Sequence, residues 1–243
     1  MKIEPIQRIK LSHKVRERLL EMIQSNELGL GSFMPSEHEL MKRFQVGRPA
    51  VREAMQSLES MGLIEIRQGG RARVKHVVAK DLLNQIDSTT RHLLSSSAQN
   101  VSHLREARRV LETSTVFLAV KRSTEKDIQN LKKELDYMKR SMRNRPEFLK
   151  SDLMFHKTIA RMSKNSILYE TTCAMLDWLA ESHTDYEKDM LGIPELEDLT
   201  FQEHQGIYEC IVKKDASGAA QQISDHIMRV NKSYHEYPGP NVG

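Results

Sequence analysis

The stretch Val46-Gly47-Arg48-Pro49-Ala50-Val51-Arg52-Glu53-Ala54 decides how the first third of this chain is read. It sets two arginines around a proline where an apolar helical pattern begins. Pro49 suits the first helical position, because its missing N–H is not needed there. Val51, Ala54, Met55 and Leu58 then form one apolar side. Arg48 and Arg52 are four residues apart and share a different face at the helix start. A helix N-terminus already favours anions. Two cations on that end therefore suit an anion belonging to another molecule.

The flanking residues give this helix its setting. Val15, Leu19, Leu20 and Ile23 recur at helical spacing between Leu11 and about Ser25, and Gly29 and Gly31 break the pattern. Ser36 and Glu39 read as a capping box that opens a short helix ending near Phe44. Gln45-Val46-Gly47 is the turn. After the Arg48 helix, residues 63–67 and 71–74 look like two strands around Gln68-Gly69-Gly70. Helix, helix, turn, helix and hairpin make a winged helix-turn-helix. Such a motif puts the N-terminal end of its second helix in the major groove of double-stranded DNA. Arginine there forks onto guanine or pairs with phosphate. Arg48 and Arg52, with Arg71 and Arg73 in the wing, are the cationic candidates, and Gly69 and Gly70 would let backbone approach a phosphate. A solvated basic face would explain the two helix arginines alone; it would not explain the ordered elements around them.

Charge is distributed accordingly. Residues 1–76 hold 14 Lys and Arg against 9 Asp and Glu, a net +5, and the remainder holds 23 against 24, a net −1, so the positive charge lies in the first third. Cys173 and Cys210 are the only cysteines of the sequence and have no CxxC spacing, which excludes a disulfide scaffold and suits a reducing cytoplasm. No run of about 18 apolar residues is present, so no membrane span is expected.

Beyond Val78 the pattern is helix after helix, at roughly 80–94, 101–121, 125–143, 146–162, 166–188, 195–213 and 217–235. The expected class is mainly α: a head over 1–78 and an all-helical body over 79–243. Asp152 and His156 lie one turn apart on one helix face. His204 and His226 each belong to a separate expected helix. Helical bundles build metal sites from facing helices, and one carboxylate with three imidazoles suits Zn, Ni or a similar divalent ion. Spacing does not bring these helices together, and with ten histidines in the chain, surface or hydrogen-bonded roles are the commoner outcome. Arg108 and Glu112 could form an exposed i,i+4 pair. Trp178, with apolar neighbours at helical spacing, reads as core.

These segments carry a family resemblance. Residues 34–40, 46–54, 58–64 and Gln68-Gly69 look like the DNA-binding head of the GntR family of bacterial regulators. The body, with Glu106 to Glu112, Asp152 to His156, Asn165, Glu203-His204, Asp215 and His226, resembles the FCD ligand-binding domain of that family's FadR branch. The resemblance implies a DNA-binding homodimer, probing operator DNA also through Gly47, Pro49, Ala50, Ser36, His38 and Gln68. It departs at His38, where many members have Arg, and at Gly47, where many have Ser or Thr. It further implies a divalent metal on Asp152, His156, His204 and His226, and a small carboxylate effector beside it near Arg108, Glu112 and Asn165. Residues 46–54, 71–74 and Leu176 to Leu179 are similar to sialic-acid-responsive members, which makes sialic acid the leading effector, with another sugar acid or a small hydroxy acid open. The competing reading is a metal-dependent hydrolase with a basic N-terminal appendage. It would need a general base near the metal; Glu203 is the one obvious candidate, and no HExxH, nucleophile elbow or phosphate loop accompanies it.

Overall fold

Helix α1 (Leu11–Gln24) forms because Val15, Leu19 and Met22 line one face, and all three are buried. Helix α2 (Glu37–Phe44) opens on the expected capping box: Glu39 N donates to Ser36 Oγ at 3.2 Å and Ser36 N to Glu39 Oε2 at 2.7 Å. It ends at Gln45 in the left-handed conformation, with φ of 52°. Helix α3 (Arg48–Ser60) has Gly47 as N-cap and Pro49 in its first turn, and buries Val51, Ala54, Met55 and Leu58. Gly62 (φ 72°) then turns the chain; a Cβ there would lie 2.5 Å from Gln85 Nε2. These helices share one core in which Leu19, Leu40, Val51 and Leu58 are wholly inaccessible. Each such side chain contributes about 1.5–3 kcal/mol.

The computed structural model describes residues 10–67, 70–182 and 194–236, with side chains to Lys232. The wing pairs β1 (Ile64–Glu65) antiparallel with β2 (Arg73–Val74), Ile64 opposite Val74 and Glu65 opposite Arg73. The ladder is shorter than the two strands expected from sequence. It also has a flank that sequence did not reveal: Gly31 N and Met34 N donate to Val74 O and Ala72 O, Val74 N donates to Ser32 O, and Phe33 bridges Arg73. The segment Gly31-Ser32-Phe33-Met34 is too short to show alternation, so its pairing with β2 had no local signature.

The chain divides into two compact units, Met1–Gln85 and Ile86–Gly243, and the division falls within α4 (Ala79–Ser95). The second unit is all helical: α5 (Ala98–Arg122), α6 (Glu125–Ser141), α7 (Arg145–Met162), α8 (Ser166–Ser182), α9 (Pro194–Val212) and α10 (Ala216–Glu236). Residues 183–188 of the helix expected over 166–188 lie outside the described residues. Its core joins Val116 and Val120 of α5, Leu131 and Met138 of α6, Phe155 and Ile159 of α7, Ile207 and Ile211 of α9 and Ile223 and Ile227 of α10. Helix α5 packs on α7, α8 and α10, and α9 packs on α6 and α10. A residue in left-handed backbone fixes the start of α9: Arg143 (φ 68°) donates its N–H to Glu197 Oε2 at 2.7 Å, and its guanidinium bonds Pro194 O and Asp198. Trp178 is core, as expected, and its indole N–H donates to Asp87 Oδ1 at 2.8 Å.

Candidate metal centre and nucleic-acid interface

Three helices of the second unit bring Asp152, His156, His204 and His226 together, with one ligand atom of each within 4.8 Å of all the others. Asp152 and His156 project from one face of α7, His204 from α9 and His226 from α10. The three histidines are at most 2% exposed, and Asp152 is the most accessible of the four. Phe155 walls the cluster, its ring 4.5 Å from that of His204.

Each imidazole is oriented from behind. His156 Nδ1 lies 2.5 Å from Glu112 Oε2, His204 Nδ1 2.7 Å from Thr200 O, and His226 Nδ1 2.7 Å from Glu203 Oε2. Carbonyls and ionised carboxylates only accept, so each Nδ1 carries a hydrogen, and in the neutral imidazole Nε2 then presents the lone pair. Those atoms converge: His204 Nε2 is 3.3 Å from His156 Nε2 and 3.2 Å from Asp152 Oδ1. Burial works against a charge on Asp152, but the surrounding imidazoles of His204, His156 and His226 hold its carboxyl far below the usual range. Burial opposes charge on Glu112 and Glu203 too. Arg108 and His156 nevertheless hold Glu112 at about 2, and His226 and Arg229 hold Glu203 at about 2. Burial, with the neighbouring His204, pushes His226 down to about 3, so it is neutral at pH 7. Three aimed nitrogen lone pairs and one carboxylate, backed by hydrogen-bond acceptors, are a donor set that fits a divalent transition ion.

Several residues have roles that spacing did not suggest. Arg108 and Glu112 are not an exposed pair: they bond at 2.5 Å with side chains 12% and 3% exposed, and Glu112 joins Arg108 to His156. Glu112 is thus placed behind a candidate ligand. Asn165 accepts from Ile167 N and Leu168 N and caps α8 with its side-chain oxygen. Glu203, the sole base candidate for a hydrolase, is held by His226 and by both arms of Arg229, which leaves it no proton-abstracting role. Thr200 and Arg229 went unseen in the sequence, and Glu203 was read there only as a candidate base beside His204; the one local signal was Arg229, three residues beyond His226 and therefore on its face.

In the first unit, Arg48 and Arg52 are 68% and 58% exposed, away from the buried Val51, Met55 and Leu58. Glu37 of α2 lies between them, 2.8 Å from Arg48 Nε and 4.0 Å from Arg52 Nε. His38, Pro49, Arg71 and Arg73 are exposed, and Ser36 and Ala50 are half-buried. Gly70 N donates to Arg67 O; Gln68 and Gly69 lie outside the described residues. Arg73 stacks 4.7 Å from the Phe33 ring centroid, with Arg71 at 6.0 Å.

A winged helix-turn-helix followed by an all-helical body with a buried polar centre defines a transcriptional regulator and not an enzyme. The chain belongs to the GntR family of bacterial regulatory proteins: that family's model matches residues 11–74, and the FCD domain matches residues 103–229. It is 34% identical to the HTH-type transcriptional repressor NanR of Klebsiella aerogenes over 95% of this chain and 87% of the relative. The NanR of Escherichia coli is 32% identical, over 98% and 89%. Among solved structures, Streptococcus agalactiae GntR superposes with a TM-score of 0.62 at 25% identity, over 91% of this chain and 99% of the other. Among the described residues no helix is long and apolar enough to cross a membrane.

Proposed function

We propose that this chain is a cytoplasmic repressor that binds operator DNA as a homodimer under the control of a small carboxylate bound beside a divalent metal. The head over 1–78 reads DNA and the body over 79–243 senses the effector. Asp152, His156, His204 and His226 would hold the ion, zinc first and nickel second. The convergence of three Nε2 lone pairs on one carboxylate carries this reading. A bound ion would supply a Lewis-acidic contact for a carboxylate oxygen. Arg108, one turn before Glu112 on α5, supplies the positive side chain for the same acid, and sialic acid leads the candidates because residues 46–54, 71–74 and 176–179 are similar to sialic-acid-responsive members. Relatives named as repressors support the direction of control.

Dimerisation is supported by α4, where Leu82, Ile86 and Leu93 are about half exposed at helical spacing. On DNA, Arg48 and Arg52 read or neutralise the operator from the start of α3, with Gly47, Pro49 and Ala50 close to the backbone, and Arg71 and Arg73 contact it from the wing. An effector controls this binding only by favouring one of two arrangements in free energy.

The test is metal content and thermal melting against a panel of carboxylates including sialic acid, for wild type and His204→Ala. One ion per chain and one stabilising acid, both lost in the variant, are expected. No ion and no stabilising acid would return the histidines to a purely structural role.

A further inference from the structure

Arg229 faces the candidate metal centre from behind, and its geometry is more specific than that of a surface ion pair. Its Nε donates to Glu203 Oε1 at 2.6 Å and its Nη2 to Glu203 Oε2 at 2.6 Å, a two-pronged fork. Glu203 Oε2 in turn accepts from His226 Nδ1 at 2.7 Å. The same Nη2 donates to Thr200 Oγ1 at 2.9 Å, and the Thr200 carbonyl accepts from His204 Nδ1 at 2.7 Å. One guanidinium therefore stands behind two of the three imidazoles. Arg229 and Glu203 are both about four-fifths buried, and His226 is 2% exposed.

We propose that Arg229 is a positioning residue of the metal centre, acting through Glu203 on His226 and through Thr200 on His204. The inference rests on the metal reading proposed for Asp152 and the three histidines. Its physical basis is the fork. A carboxylate bonded to one imidazole alone keeps a free torsion and carries an unbalanced buried charge, whereas a bidentate guanidinium fixes its plane and neutralises it. With Glu203 fixed, Nδ1 of His226 stays the donor and Nε2 stays the ligand. The arrangement repeats on the other side of the cluster, where Arg108 bonds Glu112 and Glu112 bonds His156 Nδ1. Arg229 adds a second branch, through Thr200, that ties α10 to α9 at the level of His204. Lysine in its place would keep the stem and the charge but lose the fork.

The full-length protein is compared as wild type, Arg229→Lys, Arg229→Met, Glu203→Gln and His226→Ala. Zinc affinity is measured by competition with a chelator, the histidine ring tautomers by nitrogen NMR, and the metal-free fold by melting in chelator. Arg229→Lys and Glu203→Gln are expected to bind zinc about 10- to 100-fold more weakly than wild type, with the Nδ1–H signal of His226 shifted or lost. Arg229→Met gives the same result where it folds, and Arg229→Lys decides where it does not. Wild-type zinc affinity and an unchanged His226 tautomer in both Arg229→Lys and Glu203→Gln overturn the proposal, whatever happens to the melting temperature. Undiminished zinc affinity in His226→Ala, or none in wild type, overturns the underlying metal reading and the proposal with it. Loss of zinc in His226→Ala alone leaves the metal reading standing and removes only Arg229.

Discussion

His156 and His204 turn their Nε2 atoms towards each other across 3.3 Å, although each ring already donates from Nδ1 to an acceptor of its own. In the Nδ1–H tautomer an imidazole keeps no hydrogen on Nε2, so the facing atoms would meet lone pair to lone pair. A cation between them would remove that repulsion, so on the proposed metal reading its removal should destabilise the fold. With the ion at 100 times its dissociation constant, linkage is worth about 2.7 kcal/mol. Chelation is therefore expected to lower the melting temperature of wild type by roughly 5–10 °C and to leave His156→Ala unmoved.

Phe155 is fully buried, and its ring meets that of His204 edge-on. Phe155→Ala should cost about 3–5 kcal/mol through lost transfer energy and the cavity left behind. The same cavity frees His204 to tilt, so zinc affinity should fall with stability. Denaturant melts and chelator competition on one preparation test both; a destabilised variant with wild-type affinity would show that Phe155 is packing alone.

Arg48 and Arg52 extend from the start of α3, with Glu37 between them. Either arginine replaced by Ala should weaken operator binding by about 1–3 kcal/mol if it reads a base, with relaxed sequence preference. A phosphate contact would instead reduce the salt slope of binding by about 1 and weaken all sequences alike. Titrations of operator and scrambled DNA at several salt concentrations separate the two.

Phe33 is an exposed aromatic with Arg73 stacked over it and Arg71 at the edge of range. Removing the ring should release the wing arginines. Phe33→Ala is expected to weaken operator binding by about 0.5–1 kcal/mol, the size of an exposed cation–π contact, while Phe33→Tyr keeps it. In a double-mutant cycle with Arg73→Ala the effects should fall short of additive; strict additivity would show that the stack has no bearing on DNA.

Asp127 caps α6, accepting from Thr124 N at 2.8 Å and from Lys164 Nζ at 2.7 Å. Burial works against its charge, but the Lys164 and Thr124 hydrogen bonds bring it from an ordinary 3.8 down to about 2. A folded value below the unfolded one means stability that is present above about pH 4 and lost as pH falls towards 2. Allowing for solvent screening, the contribution is about 1 kcal/mol. Asp127→Asn should lower stability at neutral pH by that amount and flatten the acid limb between pH 4 and 2, read from urea melts across that range.

Much of the fold was legible because its signals are local. The capping box at Ser36, the proline start of α3 and the apolar faces of Val15 and Leu19 and of Val51, Met55 and Leu58 follow from helix geometry, and the structure has them; Leu20 and Ile23, expected on the α1 face, are only half-buried, and Met22 is buried there instead. The body helices fall close to their expected ranges for the same reason. The flank at Phe33 was not legible, since one bridge and a few backbone bonds leave no periodic trace. Glu37 as the partner of Arg48 was hidden too, because the two stand on different helices and eleven residues apart.

The sequence by itself determined which residues share a helix face: Arg48 with Arg52, Asp152 with His156, His226 with Arg229. A 3.6-residue repeat decides that without reference to the rest of the chain. Only the tertiary structure decided that α5, α7, α9 and α10 direct Glu112, His156, His204 and His226 to one point. It also decided which nitrogen of each ring faces inward. Periodicity sets the rotation of a helix about its own axis. The register between helices, and with it the carboxylate or carbonyl waiting behind each imidazole, comes from packing together side chains that stand far apart along the chain.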